Sequence, residues 1–200
     1  MVHNISGVIL AGGTSKRFDG IVKAKIVIDG KTIISRIIDT IGDVFDDIII
    51  VTNTPDHFAE YNGCKIIGDK FLNKGPLGGI HSAMKETEKE ALFVLACDMP
   101  LLNKEIIIRQ IEFYNNNSCD VLIPQINKYI EPLHGIYKKS LTGILEEYLS
   151  GFNDYAIREF LKKVNVRYMQ FEGSEKSGSA FTNINSPSDF DVVKKLPGII

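Results

Sequence analysis

Hydrophobic positions along the chain form two kinds of segment. The first kind is a short apolar run rich in Val and Ile, with little alternation of polar residues. Such runs are typical of strands buried on both faces, as in a parallel sheet. They predict strands at residues 5–10, 48–52, 64–67, 91–96 and 120–123, with two later strands at residues 166–171 and 180–182.

The second kind is a longer amphipathic segment between the apolar runs. In residues 31–41, isoleucines recur at helical spacing and form one apolar face. Similar patterns predict helices at residues 77–87, 104–115, 141–149 and 155–162. Strands that alternate with helices predict an α/β domain with a mostly parallel central sheet. Neither a repeat nor a linker divides the chain, so one domain of residues 1–200 is expected.

Composition narrows the classes of function. The chain has 200 residues, of which 44% are hydrophobic and 24% charged, as expected of a globular protein. A formal charge of −2 disfavours nucleic-acid binding by bulk charge. No long apolar span or signal-like start is evident, so we expect a cytoplasmic protein without a membrane partner. The dispersed Cys64, Cys97 and Cys119 predict reduced, mostly buried thiols rather than a disulfide framework.

A glycine-rich segment, LAGGTSKRF, directly follows the first predicted strand. Ligands of such sheets bind beyond the carboxyl ends of the strands. Ala11, Gly12 and Gly13 allow backbone N–H groups to approach a phosphate chain, while Lys16 and Arg17 add positive charge. The segment is neither a P-loop nor a dinucleotide fingerprint. It predicts a phosphate site, with a simple tight turn as the alternative.

Two further motifs contain oxygen ligands suited to a metal ion. Asp98, in ACDMP, follows the fourth apolar run and is a natural ligand for Mg²⁺. Helix capping is the alternative role for Asp98, although Asn103 is better placed to cap the next helix. In NINSPSDF, Ser186 and Asp189 suit a helix start, which leaves Asn185 available as a second oxygen ligand.

The segment GDKFLNKGPLGGI predicts a turn that leads into a helix. Gly78 and Gly79 expose backbone that could meet a nucleotide. Asp69 could accept hydrogen bonds from the N–H groups of guanine, with a solvent-exposed loop acid as the alternative. His134, in EPLHGIY, is a weaker candidate for contact with an acceptor substrate.

Taken in order, the motifs LAGGTSKRF, GDKFLNKGPLGGI, LACDMPLL, EPLHGIY and NINSPSDF, together with Lys23, resemble those of the molybdenum-cofactor guanylyltransferases. The resemblance extends from Leu10 to about Phe190. It implies a Rossmann-like, three-layer α/β domain with the nucleotide-diphospho-sugar transferase fold. It also implies transfer of GMP from GTP to molybdopterin, with release of pyrophosphate and dependence on Mg²⁺.

The resemblance also implies roles for individual residues. The loop that holds the triphosphate corresponds to Leu10, Ala11, Gly12 and Gly13. Lys23 corresponds to the phosphate-contacting lysine, and Arg17 is expected to help it hold the leaving pyrophosphate. Asp69, with Gly78 nearby, corresponds to the acid that contacts guanine. Asp98 corresponds to the Mg²⁺ ligand, and Asn185 to the asparagine near the metal.

The chain departs from the family pattern after the glycine-rich loop. It has RFDGIVKAK where the family commonly has R-M-G-G-x-D-K, so Lys25 is an alternative to Lys23, which fits better. A transferase that uses CTP, or that acts on a sugar or polyol phosphate, remains an alternative. So does a nucleotide-binding regulatory protein, although Asp98 and Asn185 together argue against it. Transient contact with a protein that delivers the cofactor also stays open.

Overall fold

The computed structural model describes residues 2–12, 22–151, 155–172, 179–186 and 188–189. Apolar runs form most of the strands, and amphipathic segments form the helices. The strands are β1 (Ile5–Leu10), β2 (Val27–Ile28), β3 (Lys31–Thr32), β4 (Ile48–Val51), β5 (Lys65–Ile67), β6 (Ala91–Ala96), β7 (Val121–Ile126), β8 (Tyr129–Ile130), β9 (His134–Lys138) and β10 (Val166–Phe171). The helices are α1 (Ile33–Gly42), α2 (Pro76–Glu86), α3 (Lys104–Asn115), α4 (Thr142–Gly151) and α5 (Ile157–Leu161).

The central sheet has the strand order β10-β7-β9-β6-β1-β4-β5, and β8 pairs with β7. The strands β6, β1, β4 and β5 are parallel to their neighbours in that order, while β9 is antiparallel to both β6 and β7. Leu10 is in register with Val51 on one side and Ala96 on the other. The segments that follow β1, β4 and β6 therefore leave the sheet at the same edge.

Helices cover both faces of the sheet, which makes three layers. Alternate residues of β6 face opposite cores, because successive side chains of a strand point to opposite faces. Phe93 packs in the core that contains α1 and α3, and Val94 packs in the core that contains α2, α4 and α5. The Asn103 side chain caps α3 by accepting from the N–H groups of Glu105 and Ile106 at 2.8 and 3.2 Å, as predicted.

The fold confirms a Rossmann-like α/β architecture with a mostly parallel sheet. The prediction of a strand at residues 180–182 is wrong, since Ala180 is helical and Phe181 lies in a turn. Both residues are buried by packing rather than by strand pairing. Lys31 and Thr32, expected in a helix, instead pair with the hairpin strand β2. Among the helices that the structure describes, none combines the length and apolar character of a membrane span.

Candidate active site

A cleft with a volume of about 630 Å³ opens where β1, β4 and β6 end. The segment that follows each of these strands contributes its own lining residues. The wall residues discussed below are Leu10, Gly12, Lys23, Asn53, Asp69, Asn73, Gly79, Cys97, Asp98, Leu133 and Asn185. The cleft thus lies where the sequence predicted a ligand site.

Three polar side chains converge at one end of this cleft. The Nζ atom of Lys23 donates to Oδ2 of Asp98 at 3.0 Å and to Oδ1 of Asn185 at 3.1 Å. The side chains of Lys23 and Asp98 are only 18% and 17% exposed, so water screens this ion pair less than one on the open surface. We call Lys23, Asp98 and Asn185 the phosphate end of the cleft.

The backbone holds the residues of the phosphate end in place. Asp98 lies two residues after the end of β6, and its carbonyl oxygen accepts from the N–H of Ile184 at 2.9 Å. Ile184 is fully buried, which anchors the segment that presents Asn185. Oδ2 of Asp189 accepts from the N–H groups of Asn185 and Ser186, both at 2.7 Å. Asn103 caps α3, so Asp98 is left to face the cleft.

The glycine-rich loop is described only in part. Leu10 and Gly12 line the cleft, and Gly12 is exposed. Ala11 is buried and donates its N–H to the Val51 carbonyl at 2.8 Å, so this amide is already used within the sheet. The Ala11 N–H is therefore not free for a ligand, and the predicted role of the loop at a phosphate chain rests on its other groups. Gly13 and Arg17 lie outside the described residues.

The structure separates the two candidate lysines. Lys23 lines the cleft, whereas the ammonium of Lys25 pairs with Glu60. The Lys25 ammonium also lies 5.3 Å from the ring centre of Phe58 and 4.9 Å from that of Tyr61. Lys25 therefore contributes to packing beside α1, away from the polar cluster.

Asp69 and Asn53 line the cleft beyond β5 and β4, on the other side of β1 from β6 and Asp98, and we call them the base end after the guanine contact expected from the sequence. The Asp69 N–H donates to Oδ1 of Asn53 at 2.9 Å, and Oδ1 of Asp69 accepts from the N–H of Phe71 at 3.1 Å. Burial raises the pKa of Asp69 above its usual value, and the hydrogen bond from the Phe71 N–H partly offsets this rise. Asp69 is thus a partly desolvated acid with a fixed backbone.

Gly78 serves a different purpose from the one predicted. A Cβ atom there would lie 2.6 Å from the Phe71 carbonyl oxygen and 2.8 Å from Oδ1 of Asp69. Gly78 therefore leaves room for the Asp69 carboxyl group, while Gly79 lines the cleft. The contact of Gly78 with a nucleotide stays a prediction from the sequence.

Several wall residues were missed by the sequence analysis. Asn53 follows β4 closely, and a polar residue just beyond a parallel strand was a usable signal for it. Asn73 has a φ of 63°, and Leu133 comes directly before β9. Glu131, two residues before Leu133, accepts from Nδ2 of Asn183 at 3.1 Å. Neither the loop conformation nor this contact is visible in the pattern of the sequence.

His134 is placed in the core rather than against a substrate. Its side chain is fully buried and packs edge-to-face with Phe93 and Phe181, at ring-centre distances of 5.3 and 4.8 Å. Burial lowers the pKa of His134 to about 4, which keeps the ring neutral.

Cys97 is a buried thiol in the cleft wall, and burial raises its pKa to about 12, as expected of a packing cysteine.

The donor set at the phosphate end suits a hard divalent cation. Across the residues that the structure describes, no three His, Cys, Asp or Glu side chains cluster as metal ligands, which argues against a zinc-type cage. Oδ2 of Asp98 and Oδ1 of Asn185 instead converge on one positive group, the Lys23 ammonium. One carboxylate and one amide oxygen fit Mg²⁺, which takes its remaining ligands from phosphates and water.

Comparisons with known proteins show what the chain as a whole is similar to. Residues 7–168 match the model of the family described as MobA-like NTP transferase domain. The chain is 32% identical to the probable molybdenum cofactor guanylyltransferase of Natranaerobius thermophilus, over 99% of this chain and 98% of that protein. It is 36% identical to the probable molybdenum cofactor guanylyltransferase of Peptoclostridium acidaminophilum, over 90% and 84%. The fold is similar to that of molybdopterin-guanine dinucleotide biosynthesis protein A from Archaeoglobus fulgidus (TM-score 0.80, 24% identity, covering 98% of this chain and 100% of that one).

Proposed function

The chain belongs to the family of MobA-like NTP transferase domains, and on that premise we propose that it transfers GMP from GTP to molybdopterin with release of pyrophosphate. One observation supports this most directly. A single cleft joins an ammonium, a carboxylate and an amide at one end to the hydrogen-bonding side chains of Asp69 and Asn53 at the other. A nucleoside triphosphate needs both ends, because its phosphates are charged and its base is not.

The reaction is an in-line substitution at the α-phosphorus. An oxygen of the acceptor's terminal phosphate forms the new P–O bond as the bond to pyrophosphate breaks. A phosphate group is already ionised near pH 7, so no strong general base is required. Catalysis then depends on positioning and on stabilising the developing charge.

Each residue of the phosphate end has a proposed part in this step. The Lys23 ammonium binds phosphate oxygens and stabilises negative charge on the leaving pyrophosphate. Asp98 and Asn185 hold a divalent cation, which we propose is Mg²⁺. When bound, the cation supplies positive charge that neutralises the phosphate oxygens. From the sequence, we also keep Gly13 in the phosphate loop and Arg17 as a ligand of the pyrophosphate.

The base end is proposed to select guanine. An Asp69 carboxylate can accept from both N1–H and N2–H of guanine, and its backbone is fixed by Asn53. Cytosine offers only the N4 amino group as a donor, so CTP is the second candidate nucleotide and the weaker one.

We also propose a cytoplasmic location, as expected from the sequence. A protein that delivers molybdopterin is a proposed transient partner.

Pyrophosphate release tests this function. The full chain is incubated with Mg²⁺ and molybdenum-loaded molybdopterin, and GTP, CTP, ATP and UTP are compared. Release with GTP alone is the expected result. Preference for CTP would transfer the chain to the cytidylyl branch. If no nucleotide reacts while GTP and Mg²⁺ still raise the melting temperature, the acceptor is wrong and sugar or polyol phosphates come next.

A further inference from the structure

Glu131 lies in the turn between β8 and β9 and contacts Asn183, which comes two residues before Asn185. Its carboxyl group uses both oxygens. Oε1 accepts from the N–H of Leu133 at 3.3 Å, and Oε2 accepts from Nδ2 of Asn183 at 3.1 Å. The turn itself is fixed, because the Glu131 N–H donates to the Pro124 carbonyl at 3.1 Å. The carboxyl group is therefore presented from a rigid part of the sheet.

The partner of Glu131 belongs to the segment that presents Asn185. Asn183, Ile184 and Asn185 are consecutive, and each contacts a different element of the site. The N–H of Ile184 reaches the Asp98 carbonyl at 2.9 Å, and Oδ1 of Asn185 meets the Lys23 ammonium at 3.1 Å. The hydrogen bond from the Asn183 side chain to Glu131 thus anchors this segment to the turn between β8 and β9, two residues before Asn185.

A carboxylate suits this contact. Two N–H donors face one side chain, and a carboxylate offers an acceptor oxygen to each. The Asn183 amide is oriented by the same contact, because its oxygen would be repelled by the Glu131 carboxylate. A glutamine of the same shape could keep both contacts only if the Asn183 amide turned over and accepted through Oδ1, which is buried without a hydrogen-bond partner among the described residues. Burial makes the site costly for a charged group, and the two hydrogen bonds offset this cost in part.

We propose that Glu131 is a positioning residue, which acts through Asn183 to hold Asn185 opposite Asp98 and so sets the affinity of the phosphate end for a divalent cation. This role rests on the function proposed above. Glu131 does not touch the reacting atoms in this role. Its substitution therefore changes cation binding, which a residue that only stabilises the turn would leave unchanged in the folded protein.

Mn²⁺ binding to the full chain in the presence of GTP tests this role. The free-ion electron paramagnetic resonance signal measures bound Mn²⁺ without any turnover. Glu131→Ala is expected to weaken Mn²⁺ affinity by roughly fivefold, since the hydrogen bonds to Leu133 and Asn183 are both lost. Glu112→Ala, on the exposed part of α3, is the matched control and is expected to bind as wild type.

A reversed pair separates position from charge. In Glu131→Gln/Asn183→Asp, the introduced glutamine oxygen accepts from Leu133 and its amino group donates to the introduced carboxylate, so both hydrogen bonds re-form and the net charge is unchanged. Wild-type affinity is expected to return. Asn183→Asp alone places two carboxylates together and is expected to bind Mn²⁺ more weakly than wild type, despite its extra negative charge.

Three results would overturn the inference. The first is wild-type Mn²⁺ affinity in Glu131→Ala. The second is tighter binding in Asn183→Asp than in wild type, which would indicate charge rather than position. The third is a reversed pair that has a wild-type melting temperature but does not recover affinity. Failure of the wild-type chain itself to bind Mn²⁺ with GTP would instead contradict the proposed function, and this role with it.

Discussion

The two ends of the cleft are built in different ways. At the phosphate end, Lys23 meets partners 75 and 162 residues away in the chain. At the base end, Asn53 and Asp69 are 16 residues apart and follow the neighbouring parallel strands β4 and β5. The phosphate end thus depends on the order of the whole sheet, while the base end depends on one local unit.

The ends also differ in their electrostatics. An ammonium and a carboxylate are paired at the phosphate end, whereas at the base end burial raises the pKa of Asp69. Charged groups in a partly buried site are suited to stabilise developing negative charge. A fixed hydrogen-bond acceptor is suited to distinguish one base from another. We therefore expect substitutions at the phosphate end to lower turnover and those at the base end to lower selectivity.

The largest effect is expected from Asp98→Ala. This change removes the carboxylate that would hold the cation, so kcat should fall by about 100-fold or more. Pyrophosphate release at saturating GTP and Mg²⁺ measures it. Near-wild-type turnover at saturating Mg²⁺ would remove Asp98 from the mechanism and with it the distinction between the two ends.

The two lysines offer a matched pair. Lys23→Ala should lower kcat by about 10- to 100-fold, since a charged hydrogen bond to phosphate is lost. Lys25→Ala should leave kcat within about twofold, because its partner is an exposed glutamate outside the cleft. Steady-state kinetics on both variants checks this. Equal losses in the two variants would show that position in the cleft does not matter.

Asp69→Asn is expected to lower selectivity for guanine. An asparagine has one acceptor oxygen, so it cannot accept from both N1–H and N2–H of guanine. The ratio of kcat/KM for GTP to that for ATP should fall by about tenfold, while kcat at saturating GTP changes by less than about threefold. Competition assays with the two nucleotides measure the ratio. A large fall in kcat with an unchanged ratio would place Asp69 at the chemistry instead.

The smallest expected effect is on stability, and two glycine substitutions test it. Gly78→Ala forces a Cβ against the Phe71 carbonyl and the Asp69 carboxyl group, so the free energy of unfolding should fall by about 1–3 kcal/mol. Gly143→Ala, in α4, has open space and should leave that free energy unchanged or raise it by up to about 1 kcal/mol. Urea unfolding of both variants checks the difference. Equal stabilities would mean that the base end tolerates displacement of Asp69.

Sequence patterns predicted the parts of this fold that depend on local burial. The bounds of β1, β6 and α3 agree with the predicted segments, because the two strands are mostly apolar and the helix begins directly after its cap, Asn103. The position of β9 between β6 and β7 could not be predicted, since periodicity carries no information on strand order. Periodicity also does not distinguish a buried segment from a strand. Phe181 is buried against His134 and Phe171 without strand pairing, so the strand predicted at residues 180–182 is wrong.

The candidate site shows a similar division. Asp98 and Asp69 could be found because each follows a strand in a distinctive motif. The sequence already favoured Lys23 over Lys25, and the tertiary contacts separate the two. Glu131 could not be found from the sequence, because its partner lies 52 residues away. The roles of all the site residues, Arg17 and Gly13 included, and the extent of the domain remain predictions.

A crystal structure of the full chain with GTP and Mg²⁺ would test most directly which part of the nucleotide binds at each end of the cleft. We expect guanine at Asp69 and Asn53, the phosphates at Lys23, and the cation on Asp98 and Asn185. A nucleotide bound in the opposite orientation, or a cation bound away from Asp98, would contradict the division between a phosphate end and a base end.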